Sequence, residues 1–205
     1  GADFIDYIIG DAIVTPLARA ADFSEKIAQL PSSYQPNDRQ RPLPPAPTRA
    51  AVGLPDDAVV LCCFNQTYKL TPRMLDLWAE ILQRAPAAVL WMLAWNPSAR
   101  ERLLQELQRR GVAAERIFFA PKRELADHLA RLRCADLFLD TWPCNAHTTA
   151  SDALWAGLPV LTCAGETFAS RVGASLLTAC RMTELIAANP RAYVDLALAL
   201  AANPS

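Results

Sequence analysis

The chain has 205 residues, with 20 Lys and Arg against 21 Asp and Glu and a net charge of −1 at pH 7. This length suits one large or two modest domains with a substantial hydrophobic core. The balanced charge, without a block of like charge, argues against nucleic acid or an anionic membrane as a general partner. No apolar run reaches the roughly 20 residues of a membrane span, and no signal segment is recognisable. We therefore expect a soluble, cytoplasmic protein.

The cysteine, histidine and arginine content indicates the redox state of the thiols, the absence of an expected zinc site and the type of genome. The six cysteines include no C-x-x-C pair, and Cys62 and Cys63 lie inside an apolar run, so we expect buried, reduced thiols. With only two histidines in the chain, a zinc site is not expected. Arginines far outnumber the three lysines in a chain rich in Ala and Pro, which is typical of a GC-rich bacterial genome.

The first 52 residues divide into two parts. Residues 3–9 have the β-branched and aromatic content of a strand, and a helix is predicted from about residue 20 to residue 30. We interpret residues 1–30 as the last elements of an N-terminal domain whose other parts lie outside this chain. Prolines are frequent and apolar residues few after residue 30, so residues 31–52 are interpreted as a linker.

From residue 53 to residue 205, short apolar runs alternate with segments of helical periodicity. Strands are predicted at 58–64, 88–94, 117–119, 137–139 and 159–162. Helices are predicted at 71–85, 97–110, 124–133, 148–156, 168–179, 181–188 and 190–202. Apolar strands separated by helices predict a parallel sheet covered on both faces, an α/β Rossmann-like doubly wound fold. Ligands of such folds bind beyond the carboxyl ends of the strands.

The stretch 140–157 combines a predicted strand end, a turn of small residues and the start of a helix. The first N–H groups of that helix are unpaired and point towards the turn, which suits a phosphate. Thr148 and Thr149 can add hydroxyl donors, and Asp152 can accept from a ribose or sugar hydroxyl. An ordinary capped helix explains the same spacing equally well, since threonines are common at helix starts.

Lysines are scarce, so their positions carry information. Lys69 lies in the loop after the first strand of the sheet, where an ammonium could stabilise a departing diphosphate by about 3–4 kcal/mol, or could be merely solvated. In the same loop Asn65, Gln66 and Tyr68 are either turn formers or ligand contacts. Lys122, after the third strand, is a weaker candidate because Lys-Arg-Glu is also an ordinary helix start.

The two histidines are further candidates. His128 and its neighbour Arg131 are either a surface pair or a planar platform for a base. His147, immediately before the threonine pair, is well placed to donate to a phosphate, although a lone buried histidine would be unremarkable. No G-x-G-x-x-G follows the first strand and no G-x-x-x-x-G-K-[ST] occurs, which excludes an ordinary NAD site or P-loop. No strand-end loop carries Asp-x-Asp, so neither a metal nor a cofactor is expected.

Several segments resemble the catalytic region of the O-linked N-acetylglucosamine (O-GlcNAc) transferases. They are 64–69 (Phe-Asn-Gln-Thr-Tyr-Lys), 139–149 (Leu-Asp-Thr-Trp-Pro-Cys-Asn-Ala-His-Thr-Thr), 152–157 (Asp-Ala-Leu-Trp-Ala-Gly) and 165–172 (Gly-Glu-Thr-Phe-Ala-Ser-Arg-Val). Upstream, 6–9 and 23–26 match in the same order, so the resemblance covers nearly the whole chain. It implies a two-lobed GT-B fold preceded by helical (TPR) repeats, with UDP-sugar bound by the C-terminal lobe, here residues 53–205, without a metal.

The resemblance also implies roles for individual residues. The diphosphate would contact Gln66 and Lys69, with Lys69 as the catalytic group that stabilises the leaving group. The uracil would lie at His128 and Arg131, with Lys122 as a further nucleotide contact, although the loop before His128 is shortened here. The phosphates would be held by His147, Thr148 and Thr149, and the ribose by Asp152.

The resemblance implies a leading function, and two alternatives remain. The leading hypothesis is an inverting, metal-independent transfer of N-acetylglucosamine from UDP to Ser or Thr of a protein acceptor. The alternatives are glucose transfer from UDP-glucose to asparagine, and a non-catalytic module that binds UDP or another protein. The linker at 31–52 stands where animal members carry an insert domain, as in a compact, bacterial-type member. The acceptor-binding groups are expected in the rest of the N-terminal lobe and in the repeats, outside this chain.

Overall fold

The computed structural model of the chain describes residues 2–93 and 96–202. Two parallel strands, β1 (Tyr7–Gly10) and β2 (Lys26–Gln29), form a small sheet near the amino terminus. The larger sheet consists of β3 (Val59–Cys63), β4 (Ala88–Leu93), β5 (Ile117–Ala120), β6 (Leu137–Leu139), β7 (Val160–Cys163) and β8 (Ile186–Ala187). The helices are α1 (Pro72–Arg84), α2 (Pro97–Arg109), α3 (Leu125–Leu132), α4 (Thr148–Trp155), α5 (Val172–Ala179) and α6 (Pro190–Ala202).

The strands of the larger sheet are all parallel and lie in the order β5-β4-β3-β6-β7-β8. The chain therefore runs outwards from β3 to one edge, returns to β6 beside β3, and continues to the other edge. This is the order of a doubly wound Rossmann-like sheet, and it confirms the predicted fold class. The order reverses between β3 and β6, and we call the space beyond the carboxyl ends of these two strands the crevice.

Successive side chains along the strands face opposite sides of the sheet, so the protein has a hydrophobic core on each face. Val60 and Cys62 pack on one face of the sheet with α3, α4 and α5, whereas Leu61 and Cys63 pack on the other with α1, α2 and α6. The two adjacent cysteines thus point in opposite directions, because successive side chains of a strand face opposite sides. All six cysteines are free thiols, as predicted, but Cys144 is half-buried and Cys180 is exposed, so the expectation that all are buried is wrong for those two residues.

Helix caps read from the sequence are confirmed at α1 and α2. The Thr71 hydroxyl accepts from the Met74 N–H at 3.2 Å, and the Asn96 side chain accepts from the Ala99 N–H at 2.7 Å. A proline follows each cap in the first turn, where its missing N–H costs nothing. After α4, Gly157 adopts the left-handed conformation (φ 84°) that ends the helix. The last residue of the predicted strand 88–94 lies outside the described residues.

Two predicted helices are wrong. Residues 20–30 contain the end of a 3-10 helix (Leu17–Asp22) and the strand β2, which supplies the partner of β1. Residues 181–188 contain a short 3-10 helix and β8, which extends the sheet beyond β7. In both cases the segment is short, and pairing with a distant strand overrides its weak local preference.

The amino-terminal segment is anchored on the larger sheet through the buried carboxylate of Asp11. One oxygen accepts from the backbone N–H of Val14 at 2.9 Å, and the other from the Tyr34 N–H at 2.9 Å and the Ser175 hydroxyl at 2.6 Å. Asp11 thereby joins residues 11–14, the proline-rich segment and α5. Within residues 2–93 and 96–202, no helix combines the length and hydropathy needed to cross a membrane.

Because α5 packs closely on β7, we expect substitution of Gly173 to destabilise the fold. A Cβ atom at Gly173 would lie 2.4 Å from the Thr162 hydroxyl oxygen and 2.6 Å from a carboxylate oxygen of Asp140. We expect Gly173→Ala to reduce the free energy of unfolding by about 1–3 kcal/mol, since these buried groups must shift. Urea unfolding measures the change. Thr178→Ala, on the exposed side of the same helix, should stay within about 0.5 kcal/mol of the wild type, and equal effects would contradict the packing argument.

Candidate functional site

Polar side chains join the two loops that border the crevice between β3 and β6. The buried Asn65, directly after Phe64 at the end of β3, donates from Nδ2 to the Thr141 hydroxyl at 2.8 Å. Its Oδ1 accepts a hydrogen bond from the hydroxyl of Thr149 at the start of α4. Asn65 is therefore a structural link across the crevice, while its predicted alternative role as a ligand contact stays a prediction.

Lys69 lies over the loop that follows β6. It ends a 3-10 turn, Thr67–Lys69, and its Nζ donates to the backbone carbonyl of Asn145 at 2.6 Å. Gln66, immediately before this turn, is exposed at the same edge. The scarce lysine and the predicted phosphate-binding turn, 76 residues apart in the chain, are thus in direct contact.

A buried carboxylate shapes this turn. Asp140 is fully buried, and its Oδ1 accepts from the backbone N–H groups of Thr141 at 2.7 Å and Ala146 at 2.5 Å. Its Oδ2 accepts from the Thr162 hydroxyl at 2.6 Å. Burial raises the pKa of Asp140 to about 7, although these hydrogen bonds and the Lys69 charge favour the ionised form. The sequence analysis did not single out Asp140; an acid immediately after an apolar strand was the available signal.

The carbonyl group that receives Lys69 belongs to a residue held on two sides. Asn145 donates from Nδ2 to the Thr141 carbonyl at 2.8 Å, and its Oδ1 accepts from the Gly173 N–H at 3.3 Å. On the opposite side of the strand end, the buried Tyr193 of α6 donates its hydroxyl to the Asp140 carbonyl at 2.9 Å. Elements from both layers of helices therefore fix the position of the turn.

The polar side chains at the start of α4 differ in whether they are free to contact a ligand. The Thr148 side chain is exposed, whereas the Thr149 hydroxyl is already engaged with Asn65. His147 precedes the helix, and its buried Nε2 has no hydrogen-bond partner among the described residues. Burial, followed by the nearby charge of Lys69, lowers the pKa of His147, while a hydrogen bond with the Ala169 backbone opposes that shift. An unpaired buried nitrogen beside a helix amino terminus is a group suited to contact a ligand.

Asp152 forms an ion pair that the sequence did not predict. Its carboxylate Oδ1 lies 2.6 Å from Nη1 of Arg41, and the two side chains are only 9% and 10% exposed. Burial raises the pKa of Asp152, while the charge of Arg41 opposes that rise. Arg41 belongs to the proline-rich segment 31–52, which therefore contacts the predicted ribose-binding residue.

His128 and Arg131 lie together beneath the loop after β3, but their environments differ. Arg131 is buried, with its guanidinium 4.9 Å from the centre of the Phe64 ring and Nη2 2.8 Å from Nδ1 of His128. Because arginine only donates, Nδ1 of His128 accepts and its proton resides on Nε2. Burial and the Arg131 charge lower the pKa of His128 to about 4, so the ring is neutral at pH 7. In this arrangement Arg131 orients the histidine.

Lys122 directly follows Pro121, whose carbonyl accepts a hydrogen bond from Nη1 of Arg131 at 2.5 Å. Lys122 lines a pocket of about 460 Å³ with residues of the loop before α2, of α2 itself and of the loop after β5, among them Asn96, Arg100 and Pro121. The structure thus leaves its predicted nucleotide contact as a prediction. Across residues 2–93 and 96–202, no three side chains of His, Cys, Asp or Glu are grouped so that they could hold a metal ion.

The strand order and the position of the polar cluster define a Rossmann-like lobe with its candidate site at the switch point of the sheet. Comparison with known proteins identifies the family. Residues 44–205 match the model of glycosyl transferase family 41, and the chain belongs to that family. Its fold is that of a Rossmann-like lobe of a GT-B glycosyltransferase.

Individual relatives agree with this assignment. The chain is 38% identical over 210 residues to a probable UDP-N-acetylglucosamine–peptide N-acetylglucosaminyltransferase of Arabidopsis thaliana, covering 99% of this chain and 22% of that protein. It is 41% identical over 153 residues to the Caenorhabditis elegans enzyme of the corresponding name, covering 75% and 13%. A mutant O-GlcNAc transferase of Thermobaculum terrenum superposes with a TM-score of 0.84 at 34% identity, covering 96% of this chain and 37% of that one. The chain thus spans less than half of each of these proteins.

The His128–Arg131 pair predicts an unusual titration. We expect His128 to remain neutral, with its proton on Nε2, from pH 8 down to about pH 5, and to titrate with a pKa of about 4. This pKa lies below the value of about 6.5 expected in the unfolded chain, so the unfolded chain binds the proton first as the pH falls. The free energy of unfolding should therefore decrease as the pH falls from about 6.5 to about 4. Long-range ¹⁵N–¹H NMR reports both the tautomer and the pKa. Arg131→Met should raise the pKa, whereas Arg123→Met, in the exposed loop, should leave it unchanged.

Proposed function

We propose that this chain forms the donor site of an inverting glycosyltransferase that transfers N-acetylglucosamine from UDP to Ser or Thr hydroxyls of proteins. The observation that carries the proposal is the contact between Lys69 and the Asn145 carbonyl at the switch point of the sheet. It places the only lysine of the crevice loops 65–70 and 141–147 beside the amino terminus of α4. Membership of family 41 and the names of its relatives support this activity.

The proposed chemistry is a single displacement at the anomeric carbon. The acceptor oxygen attacks from the face opposite UDP, the bond from carbon to the β-phosphate oxygen breaks, and its electron pair remains on UDP. Attack from the opposite face inverts the configuration. The ammonium of Lys69 and the first N–H groups of α4 offset the charge on the departing diphosphate, the role that a metal ion performs in other glycosyltransferases. The proton of the acceptor hydroxyl passes to a base that we place outside this chain.

The remaining groups of the crevice would hold the nucleotide. The Nε2–H of His128 is directed by Arg131 to serve as a hydrogen-bond donor to a carbonyl of uracil. The unpaired Nε2 of His147 and the exposed Thr148 hydroxyl would contact the phosphates, together with Gln66. Thr149 contributes its backbone N–H rather than its hydroxyl, which is engaged with Asn65. Asp152 would accept from the ribose.

The acceptor is proposed to bind elsewhere in the polypeptide. The chain spans 22% of the Arabidopsis relative and 37% of the Thermobaculum protein. We place the groups that select the protein acceptor in the rest of an N-terminal lobe and in helical repeats, which the resemblance to the family implies.

Nucleotide binding is the direct test of the donor site. Titration calorimetry should detect UDP and UDP-N-acetylglucosamine, with binding at least about tenfold weaker for ADP, since one unsatisfied polar contact costs about 1–3 kcal/mol. Competition with UDP-glucose decides between the two sugars: we expect UDP-N-acetylglucosamine to bind more tightly. Absence of binding by every uridine nucleotide would refute the proposed site.

Lys69 should act more strongly on turnover than on binding. Lys69→Ala is expected to lower kcat about 10²- to 10³-fold, as removal of an oxyanion donor does, while UDP affinity falls by less than about tenfold. Transfer or hydrolysis assays on the full-length protein with UDP-N-acetylglucosamine, together with UDP calorimetry, give the two quantities. Lys26→Ala, on the exposed surface of β2, is the matched control and should change neither. Equal losses of kcat and UDP affinity in Lys69→Ala would contradict the leaving-group role.

A further inference from the structure

Residues 37–41 of the proline-rich segment cross the outer surface of α4, and we call them the strap. At its first residue, Asn37 Oδ1 accepts a hydrogen bond from the Ser151 hydroxyl. At its last, Arg41 pairs with Asp152 at 2.6 Å and places its guanidinium 4.8 Å from the centre of the Trp155 ring. The strap thus contacts three residues of α4 from Ser151 to Trp155, although it contains no helix or strand of its own.

Arg41 is held on the side of the strap as well. Its Nε donates to the Asp38 carbonyl at 3.2 Å and its Nη2 to Asn37 Oδ1 at 3.5 Å. The Asp38 side chain in turn accepts from the Gln40 N–H at 2.8 Å. The guanidinium therefore has little freedom, and its stacking on Trp155 adds a cation–π contact.

The geometry leaves acceptor capacity on Asp152. Arg41 contacts Oδ1 of the carboxylate, whereas an ionised carboxylate offers about four acceptor sites on its two oxygens. Both side chains of the ion pair are nearly buried, and the charge of Arg41 favours the ionised form of Asp152 against the effect of burial. Without Arg41, burial would favour the protonated acid, which is a weaker acceptor and can turn its hydroxyl towards a ligand.

We propose that Arg41 is a positioning residue for recognition of the donor ribose: it holds the Asp152 carboxylate ionised and oriented so that Oδ2 accepts from a ribose hydroxyl. The strap thereby makes the segment 31–52 part of the nucleotide site. This inference rests on the proposed UDP-binding function, and it concerns the preference for ribose rather than binding itself.

The test compares UDP with 2′-deoxy-UDP and 3′-deoxy-UDP by titration calorimetry on the purified protein. The wild type should bind UDP about tenfold or more tightly than at least one deoxy analogue, as expected for a hydrogen bond to a charged group. Arg41→Met should weaken UDP about tenfold while changing that analogue by less than about threefold, so that the preference falls towards one. Asp152→Asn should produce the same loss of preference, and adding Arg41→Met to it should reduce the preference no further.

Two controls separate positioning from folding. Arg39→Met, two residues away and exposed, should retain the wild-type preference. Arg41→Gln keeps a donor but no charge; it should also lose preference, and it replaces Arg41→Met if that variant fails to fold. A uniform loss for UDP and its analogues would show a structural role only and overturn the proposal.

Other outcomes also decide the matter. Tighter UDP binding by Arg41→Met would show that Arg41 competes with the ribose, and a wild type without preference would show that Asp152 does not accept from it. Either result overturns the inference while leaving the donor site in place. If the wild type bound no uridine nucleotide, the proposed function itself would fail.

Discussion

The Asp140 carboxylate, buried at the end of β6, is the group on which the candidate site depends. It accepts from the two backbone N–H groups at either end of the turn 141–146 and from a hydroxyl of β7. A short turn without regular hydrogen bonding needs such a central acceptor, since its buried N–H groups would otherwise be unsatisfied. The position of the Asn145 carbonyl, and with it the position of Lys69, follows from this arrangement.

The Asp140 carboxylate also influences the electrostatics around Lys69. Burial raises the pKa of Asp140 to about 7, whereas the Lys69 charge favours its ionised form. Burial and the same Lys69 charge lower the pKa of His147. Burial and the cation of Arg131 keep the pKa of His128 low, and the hydrogen bond from Arg131 fixes the tautomer of the histidine. A neutral donor at His128 would suit the uncharged base of the proposed uridine nucleotide.

Family membership and geometry answer different questions about this chain. The match to glycosyl transferase family 41 and the superposition on the Thermobaculum protein establish the family and the fold. The contacts of this chain then separate residues that the resemblance had grouped together. Among the three residues assigned to the phosphates, His147 and Thr148 offer unengaged side-chain groups, whereas Thr149 supports Asn65. Likewise Arg131 supports His128, and Asp152 is coupled to a segment that the sequence marked only as a linker.

The sequence by itself determined the doubly wound sheet, the caps of α1 and α2, and the loops that carry the candidate residues. These features follow from local periodicity, proline and cap chemistry, and the carboxyl-end rule for parallel sheets. Tertiary structure alone decided β2 and β8, because strands of a few residues form only when a distant partner is present. It also decided the central place of Asp140, the partner of Lys69 and the pairing of Arg41 with Asp152. Those last two residues are 111 positions apart, and no local pattern reports a contact of that range; only the packing of the strap on α4 brings their charges together in a site largely withdrawn from water.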